Sequence, residues 1–240
     1  MLKGELLMLT IQGFEKAFAY WKLFLEGVVC TVSLSALTVI FGFILALLIA
    51  SCRMGRSKIL RAISTAYVEL FRATPMVVQV FIIFYVVFDG VKVLPGFKLF
   101  GFIRFDRFFP AVVALALNSG AYLSEIIRSG IQSIDGGQTE AARSLGLSSW
   151  KTMRFVVLPQ AIKNILPAIA NEFVTIIKES AICFTIGVQD IMSAVNAVKG
   201  ATYKMGEALI IATALYFCLT FPTSKIIAHF ERKMSRGDKR

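Results

Sequence analysis

The sequence predicts an all-α integral membrane protein with about five transmembrane helices. Of its 240 residues, 57% are hydrophobic and 17% are charged, whereas soluble domains are typically about 25% charged. The apolar residues form long segments, and Lys and Arg cluster at the ends of those segments. The net charge is +11, but this clustering follows the positive-inside rule. We therefore expect membrane lipid as a partner and no nucleic acid.

The first apolar segment is the clearest span. Between Glu26 and Arg53 lie 26 uncharged residues, and a helix needs about 20 residues to cross the hydrocarbon core. We place this span at about Gly27–Ser51. Tyr20 and Trp21 precede it, as aromatic residues at a membrane interface do.

Four further apolar segments follow the first. Proline removes one internal hydrogen bond of a helix, so Thr74-Pro75 is expected to loosen the second. Polar residues from Asn171 to Glu179 lie inside the fourth, so a shorter or broken fourth span is an alternative. The segments cover about Ser64–Phe88, Phe108–Ile127, Ile165–Gly187 and Ala208–Ile227.

Five spans place the two termini on opposite sides of the membrane, and the basic residues decide the orientation. Residues 52–65, residues 128–163 and the C-terminal tail carry 14 Lys and Arg, against nine in the N-terminal segment, residues 89–107 and residues 188–206. The N-terminus is therefore predicted outside and the C-terminus in the cytoplasm. The predicted domains are an extracytoplasmic segment at 1–22, a transmembrane domain at 23–228 and a basic cytoplasmic tail at 229–240.

The longest predicted cytoplasmic loop, residues 128–163, has strong helical character. We expect Gly136-Gly137 to break the chain and residues 139–145 to form a short helix that ends at Gly146. A second short helix follows, and Pro159 is expected to interrupt it. Its predicted cap is Ser148 or Ser149. The loop is either an interfacial amphipathic connector or a docking element for a cytoplasmic partner.

Seven positions at fixed spacing make this loop similar to the EAA loop of ABC importer permeases. The family pattern is Glu-Ala-Ala, three residues, Gly, nine residues, Ile, one residue and Leu-Pro. Only Val156, in the place of Ile, departs from it. The matching residues are Glu140, Ala141, Ala142, Gly146, Leu158 and Pro159.

The resemblance extends to about residues 20–228 and points to the polar amino-acid class of these permeases. This sequence departs from the family pattern at three places. Ala73 stands where many members have Gly, Glu179-Ser180 stand where many have Asp-Thr, and the connection at 89–107 is longer. The similar stretches are residues 69–79, 117–134, 137–150 and 157–180.

The resemblance implies the type I ABC importer fold in a bacterial cytoplasmic (inner) membrane. Family members pair two permease copies, identical or paralogous, and an extracytoplasmic substrate-binding protein delivers the substrate. Each permease rests its EAA loop, here about 136–160, in a groove of an ABC ATPase subunit, which binds ATP and Mg. The residues expected to couple to the ATPase are Glu140, Ala141, Ala142, Arg143, Gly146, Leu158 and Pro159, with Leu145, Leu147 and Trp150 as apolar anchors.

The sequence contains no phosphate-binding loop of the form Gly, four residues, Gly-Lys-Ser/Thr, so we assign ATP hydrolysis to a separate chain. We therefore expect no enzyme activity and no cofactor on this chain. The single histidine, His229, and four cysteines without short spacing predict neither a metal site nor a disulfide framework.

Polar residues inside the predicted spans are the candidates for the substrate pathway, because charges in a membrane usually face a cavity or each other. Asn171, Thr175 and Lys178 share one helical face. The alternative is that such residues join helices by polar contacts. The pathway candidates are Asn118, Ser119, Asn171, Glu172, Thr175, Lys178 and Glu179.

Two pairs three residues apart, Glu69 with Arg72 and Glu125 with Arg128, lie near the predicted cytoplasmic boundary. We expect ion pairs or side chains that extend to the interface, with a pathway role as the alternative.

Other functional classes fit less well. A stand-alone secondary transporter or channel for a small polar solute would give the EAA loop no role, and inverted repeats are not visible. A membrane enzyme needs a catalytic constellation, and no convincing nucleophile and base pair is present. The sequence therefore predicts the permease subunit of an ATP-driven importer for polar amino acids.

Overall fold

The computed structural model describes residues 9–90, 92 and 94–235, and this part of the chain is mostly helical. A short antiparallel ladder joins β1 (Lys98–Leu99) and β2 (Ile103–Arg104). The α-helices are α1 (Ile11–Phe18), α2 (Trp21–Met54), α3 (Lys58–Ala73), α4 (Met76–Phe81), α5 (Phe105–Gln132), α6 (Gly136–Ser144), α7 (Ser149–Thr152), α8 (Leu158–Glu179), α9 (Ile191–Thr202) and α10 (Met205–Ser235). π-Helical turns follow α4 at Ile82–Val87 and α7 at Met153–Val157, and a 3-10 helix follows α8 at Ser180–Ile186.

Three helices, α2, α5 and α10, are long and apolar enough to cross a membrane. Two bent pairs of helices also qualify if each pair counts as one span. The first pair is α3 with α4 and the π turn that follows it. The second pair is the helical path Ser149–Ile186 with α9. The all-α membrane fold predicted from the sequence is thus confirmed, with three to five spans among the described residues. Residues 1–8 of the predicted N-terminal segment and residues 236–240 of the predicted tail lie outside the described residues.

The second predicted span is sharply bent at Thr74-Pro75, where the axes of α3 and the following helix differ by 109°. Pro75 has no N–H, so the carbonyl of Phe71, four residues earlier, loses its helical donor. The Gln79 amide nitrogen donates to that carbonyl at 2.8 Å, and the Asn118 amide nitrogen donates to it at 3.3 Å. The two side chains are themselves joined at 2.8 Å. The predicted loosening is therefore a full break, and side chains replace the lost backbone bond.

The expected interruption at Pro159 is wrong, since the helical path continues from Ser149 to Ile186. Pro159 lies in the first turn of α8, directly after the π turn at Met153–Val157. A proline ring clashes with the carbonyl four residues earlier in a regular helix. The wider π turn accommodates the ring, so the axis continues past the proline.

One compact unit consists of the described residues up to Ala36, together with Val80–Ala114 and Ile177–Phe221. It contains α9, although no helix was predicted within residues 188–206. Ile191, Val195 and Val198 of α9 are all buried in an apolar cluster with Ala17, Phe24, Ala208 and Ala212. Their i, i+4, i+7 spacing is the signal that would have identified this helix.

Two polar contacts anchor the ends of helices in this unit. Glu207 of α10 accepts a hydrogen bond from the Thr10 backbone N–H at 3.3 Å, which holds the start of α1. The carboxylate of Asp106, at the start of α5, accepts from Arg104 at 2.6 Å and 3.2 Å. This hydrogen bond raises the pKa of the Arg104 guanidinium and ties the β ladder to α5.

The other unit consists of Leu37–Gln79, Leu115–Ile176 and the described residues 222–235. Small residues allow close helix contacts within it. A Cβ at Gly130 of α5 would come within 2.3 Å of the Ile165 side chain of α8, and one at Gly120 would come within 2.9 Å of Leu45 of α2. One apolar cluster in this unit contains Ala46, Ala50, Leu123, Ile127, Ala161 and Ile165. This packing positions α6 and α7 at the ends of α5 and α8.

Candidate functional site

The first helix of the loop between α5 and α8 begins earlier than the sequence predicted. Gly136-Gly137 was expected to break the chain, but both glycines form the first turn of α6. The reason is the preceding Asp135, whose carboxylate accepts from the Gly137 backbone N–H at 2.7 Å and caps the helix. An aspartate cap satisfies an otherwise unpaired donor and offsets the weak helix propensity of glycine.

The predicted stop at Gly146 is confirmed, and its geometry is a Schellman motif. Gly146 has φ of +83°, a conformation that costs residues with a Cβ roughly 1–2 kcal/mol. Its N–H donates to the Arg143 carbonyl at 3.0 Å, and the N–H of Leu147 donates to the Ala142 carbonyl at 3.2 Å. These two bonds close the end of α6 and reverse the chain toward α7.

The second short helix begins at Ser149 with Ser148 as its cap, one of the two predicted residues. The Ser148 hydroxyl accepts from the Lys151 N–H at 3.4 Å. Ala142, Thr152 and Val157 are buried beneath the loop. These three side chains are therefore packed within the chain and are not available to a partner.

Three large apolar side chains of the loop point into solvent. Leu145 is 84% exposed, Trp150 is 70% exposed and Phe155 is 64% exposed. We call Leu145, Trp150 and Phe155 the coupling surface. Leu147, the third predicted anchor, is only partly exposed. Exposed aromatic residues beside positive charges are typical of protein interfaces, and Arg154 lies 5.7 Å from the ring centroid of Phe155.

The predicted coupling residues differ in their exposure. Glu140 and Ala141 are exposed on α6, whereas Arg143 donates through Nη1 to the Leu147 carbonyl at 2.7 Å. Leu158 is half-buried and Pro159 is exposed at the start of α8. Arg143 thus stabilises the turn between α6 and α7. The contact of the predicted coupling residues with an ATPase stays a prediction.

The polar residues predicted on the fourth span all lie on α8. Asn171, Lys178 and Glu179 are exposed, and Glu172 and Thr175 are partly exposed. The Thr175 hydroxyl donates to the Asn171 carbonyl at 3.2 Å, a bond within the helix. The helix therefore presents hydrogen-bonding groups and charges of both signs, and their place in a substrate pathway stays a prediction.

Asn118 and Ser119, the other pathway candidates, are buried on α5. Asn118 bonds to Gln79 and to the Phe71 carbonyl, so it supports the helix break. Ser119 lies against Gly42 of α2, where a Cβ would come within 3.0 Å of its hydroxyl oxygen. Sequence reasoning missed Gln79, although an amide four residues after Pro75 in an apolar segment was an available signal.

The expected ion pair between Glu125 and Arg128 is confirmed, and Arg53 of α2 joins it as a third member. Both guanidinium groups bind the same carboxylate. The pair expected between Glu69 and Arg72 is not found; instead Arg72 lies 5.4 Å from the ring centroid of Tyr122. The first span was predicted from its apolar length alone, so the ion pair between Arg53 and Glu125 was not predicted.

Comparisons with known proteins agree with the geometry. The arginine transport system permease protein ArtQ of Bacillus subtilis is 42% identical over 89% of this chain and 93% of its own length. The nopaline transport system permease protein NocM of Agrobacterium fabrum is 36% identical over 92% of this chain and 88% of its own length. A putative glutamine transport system permease protein, GlnP of Rickettsia conorii, is 37% identical over 90% of this chain and 95% of its own length.

Solved structures confirm the fold. A crystal structure of an amino acid ABC transporter with histidines has a chain that is 39% identical, with a TM-score of 0.84 over 95% of this chain and all of its own. The MetNI methionine ABC transporter in an inward-facing conformation matches with a TM-score of 0.62 at 20% identity, over 88% of this chain and 97% of its own. The family model described as "binding-protein-dependent transport system inner membrane component" matches residues 38–236, and this chain belongs to that family.

Proposed function

We propose that the chain is the permease subunit of an ATP-driven importer for polar amino acids and that a separate ATPase docks on its coupling surface. The observation that carries the proposal is the loop at about 136–160. Two capped short helices joined at Gly146 leave Leu145, Trp150 and Phe155 exposed. A soluble partner would bury such side chains, because exposed aromatic residues of this kind are typical anchors of an interface.

The substrate class is supported by α8 and by the relatives. A polar amino acid carries an ammonium and a carboxylate, so a pathway for it needs weak contacts of both signs. The α8 helix offers Glu172, Lys178 and Glu179, together with the amide of Asn171. The relatives named above are permeases of arginine, nopaline and glutamine transport systems by their descriptions.

The assembly that fits this function contains more than one chain. We propose a second permease copy, identical or paralogous, two ABC ATPase subunits that hold ATP and Mg, and an extracytoplasmic binding protein. The chain would lie in the bacterial cytoplasmic membrane with its N-terminus outside and its C-terminus inside. ATP hydrolysis would take place on the partner subunits and would reach the pathway through the loop.

Transport by the reconstituted complex tests the function. Proteoliposomes that contain the permease, its ATPase and its binding protein should accumulate a labelled polar amino acid only when ATP is enclosed. Uptake that proceeds without the ATPase would contradict the proposal and would favour a stand-alone transporter.

Charge reversal at Glu140 tests the docking surface. We expect Glu140→Lys to insert normally and to weaken ATPase binding by about tenfold, because a complementary charge becomes a repulsive one. The measurement is co-purification of the ATPase with the tagged permease, together with uptake per complex. The matched control is Gln138→Lys, which adds a lysine to another exposed position of α6. Equal ATPase recovery with both variants would remove Glu140 from the interface.

A further inference from the structure

A cavity of about 440 Å³ lies where α2 ends, beside the first turns of α3 and the last turns of α5. It is separate from the exposed coupling surface and from the polar residues of α8. Three arginines and three other residues line it: Arg53, Arg61, Arg128, Met54, Thr65 and Gln132. A cavity of this size is large enough for a phosphate group with its ester substituents.

The charge of this cavity is unbalanced. Arg53 and Arg128 share the single carboxylate of Glu125, so three positive charges face one negative charge. Arg61 is exposed, and its described hydrogen bond goes to the neutral backbone carbonyl of Gly55 at 2.8 Å. Arginine presents five N–H donors in a planar fork that matches phosphate oxygens. The cavity is therefore suited to an anion with several oxygen acceptors.

Exposed aliphatic side chains of α3, outside the cavity lining, indicate that this helix contacts lipid. Ile59 is 72% exposed and Ile63 is 63% exposed on α3, and Leu60 between them is 50% exposed. Met54, which lines the cavity, is 41% exposed. Ile59, Leu60 and Ile63 are aliphatic and suit contact with acyl chains. Moreover, α3 belongs to one of the bent pairs that qualify as a membrane span.

We propose that the cavity lined by Arg53, Arg61 and Arg128 binds the phosphate headgroup of an anionic phospholipid from the bilayer around α3. Basic pockets between transmembrane helices bind such headgroups. Glu125 holds Arg53 and Arg128 in place, and Arg61 closes the site from α3. The same phosphate chemistry is available from inorganic phosphate, so the test must separate the lipid from the free ion.

The experiment uses the purified complex of permease and ATPase in detergent. Short-chain phosphatidylglycerol, short-chain phosphatidylcholine and inorganic phosphate are titrated separately, and retained lipid is counted by native mass spectrometry. We expect saturable binding of phosphatidylglycerol, about tenfold tighter than the other two probes. Equal affinity for inorganic phosphate would make this a free-anion site, and equal affinity for phosphatidylcholine would remove the charge preference. Either result overturns the proposal.

Substitutions assign the binding to this cavity. Arg61→Gln should weaken phosphatidylglycerol binding about tenfold, because one charge-assisted contact is lost, and Arg61→Lys should recover part of it. The control is Arg56→Gln, which removes an exposed arginine of the same connection that does not line the cavity. Equal losses with Arg56→Gln and Arg61→Gln would indicate general attraction and overturn the proposal. Loss of the ATPase with Arg61→Gln, but with unchanged lipid binding, would assign the cavity to protein docking instead.

Discussion

At the residue scale, the five polar side chains of α8 differ in their access to solvent. Asn171, Lys178 and Glu179 are exposed, whereas Glu172 and Thr175 are half-buried. A residue that only joins helices would be buried against a partner, as Asn118 is on α5. The exposed members therefore have more freedom to meet a passing solute, and Asn118 has less.

Substitution at two exposed positions separates these roles. Asn171→Ala removes a hydrogen-bonding amide and Glu179→Gln removes a charge, while both leave the helix intact. We expect a change of about tenfold in transport rate or in the ratio between two amino acids, since that is the value of about one polar contact. The measurement is uptake per assembled complex, with thermal stability measured in parallel. Unchanged transport by both variants would remove them from the pathway; loss of stability alone would make them structural.

At the element scale, the bend between α3 and α4 depends on a few side chains rather than on backbone bonds. Gln79 is 6% exposed and its amide nitrogen also reaches the Thr74 carbonyl at 3.0 Å and the Thr74 hydroxyl at 2.8 Å. Tyr67, one turn before Phe71 on α3, donates to the Leu117 carbonyl of α5. The broken helix is thus held to α5 by polar contacts on both sides of Phe71.

Removing the amide of Gln79 should weaken this element. We expect Gln79→Leu to destabilise the protein by about 1–3 kcal/mol, because buried acceptors lose their donor. The measurement is the midpoint of thermal unfolding in detergent. A suitable control is Gln160→Leu, since Gln160 is half-buried and its described hydrogen bond goes to the carbonyl of Val156, one turn earlier on the same helical path. Equal shifts for the two variants would show that Gln79 does not hold the bend.

The sequence predicted these elements unevenly, for physical reasons. The stop at Gly146 followed from the intrinsic conformational freedom of glycine, and it was confirmed. The helical path through Pro159 was not foreseen, because a π turn depends on geometry that composition does not encode. Likewise, the pairing of Gln79 with Asn118 joins positions 39 residues apart. Local patterns predict local elements, whereas such long-range contacts require the fold.

At the scale of the whole molecule, the apolar surface of the spans is consistent with a lipid environment. The most apolar 18-residue window of α2 is only 33% buried, and that of α10 is only 17% buried. The corresponding window of α5 is 72% buried, so α5 is the most buried of these three helices. In water such exposed windows would be unstable, but in a bilayer they are the expected outer surface.

Orientation in the membrane is the property that the Lys and Arg distribution predicts most directly. Residues 89–107 carry four Lys and Arg residues, and the loop at 128–163 carries five. The segments predicted on the same side as that loop carry 14 in total. The positive-inside rule therefore predicts that the β ladder lies outside and α6 in the cytoplasm. A cytoplasmic position of α6 is also what the proposed docking of an ATPase requires.

Cysteine labelling in whole cells tests the orientation. In a background without the native Cys30, Cys52, Cys183 and Cys218, Lys98→Cys should react with a membrane-impermeant maleimide, because Lys98 is exposed on β1. Gln138→Cys, exposed on α6, should react only after the cells are opened. A doubly substituted protein gives an internal standard, since both sites must react in detergent. Labelling of position 138 alone in intact cells would reverse the orientation, and with it the side from which the ATPase could dock.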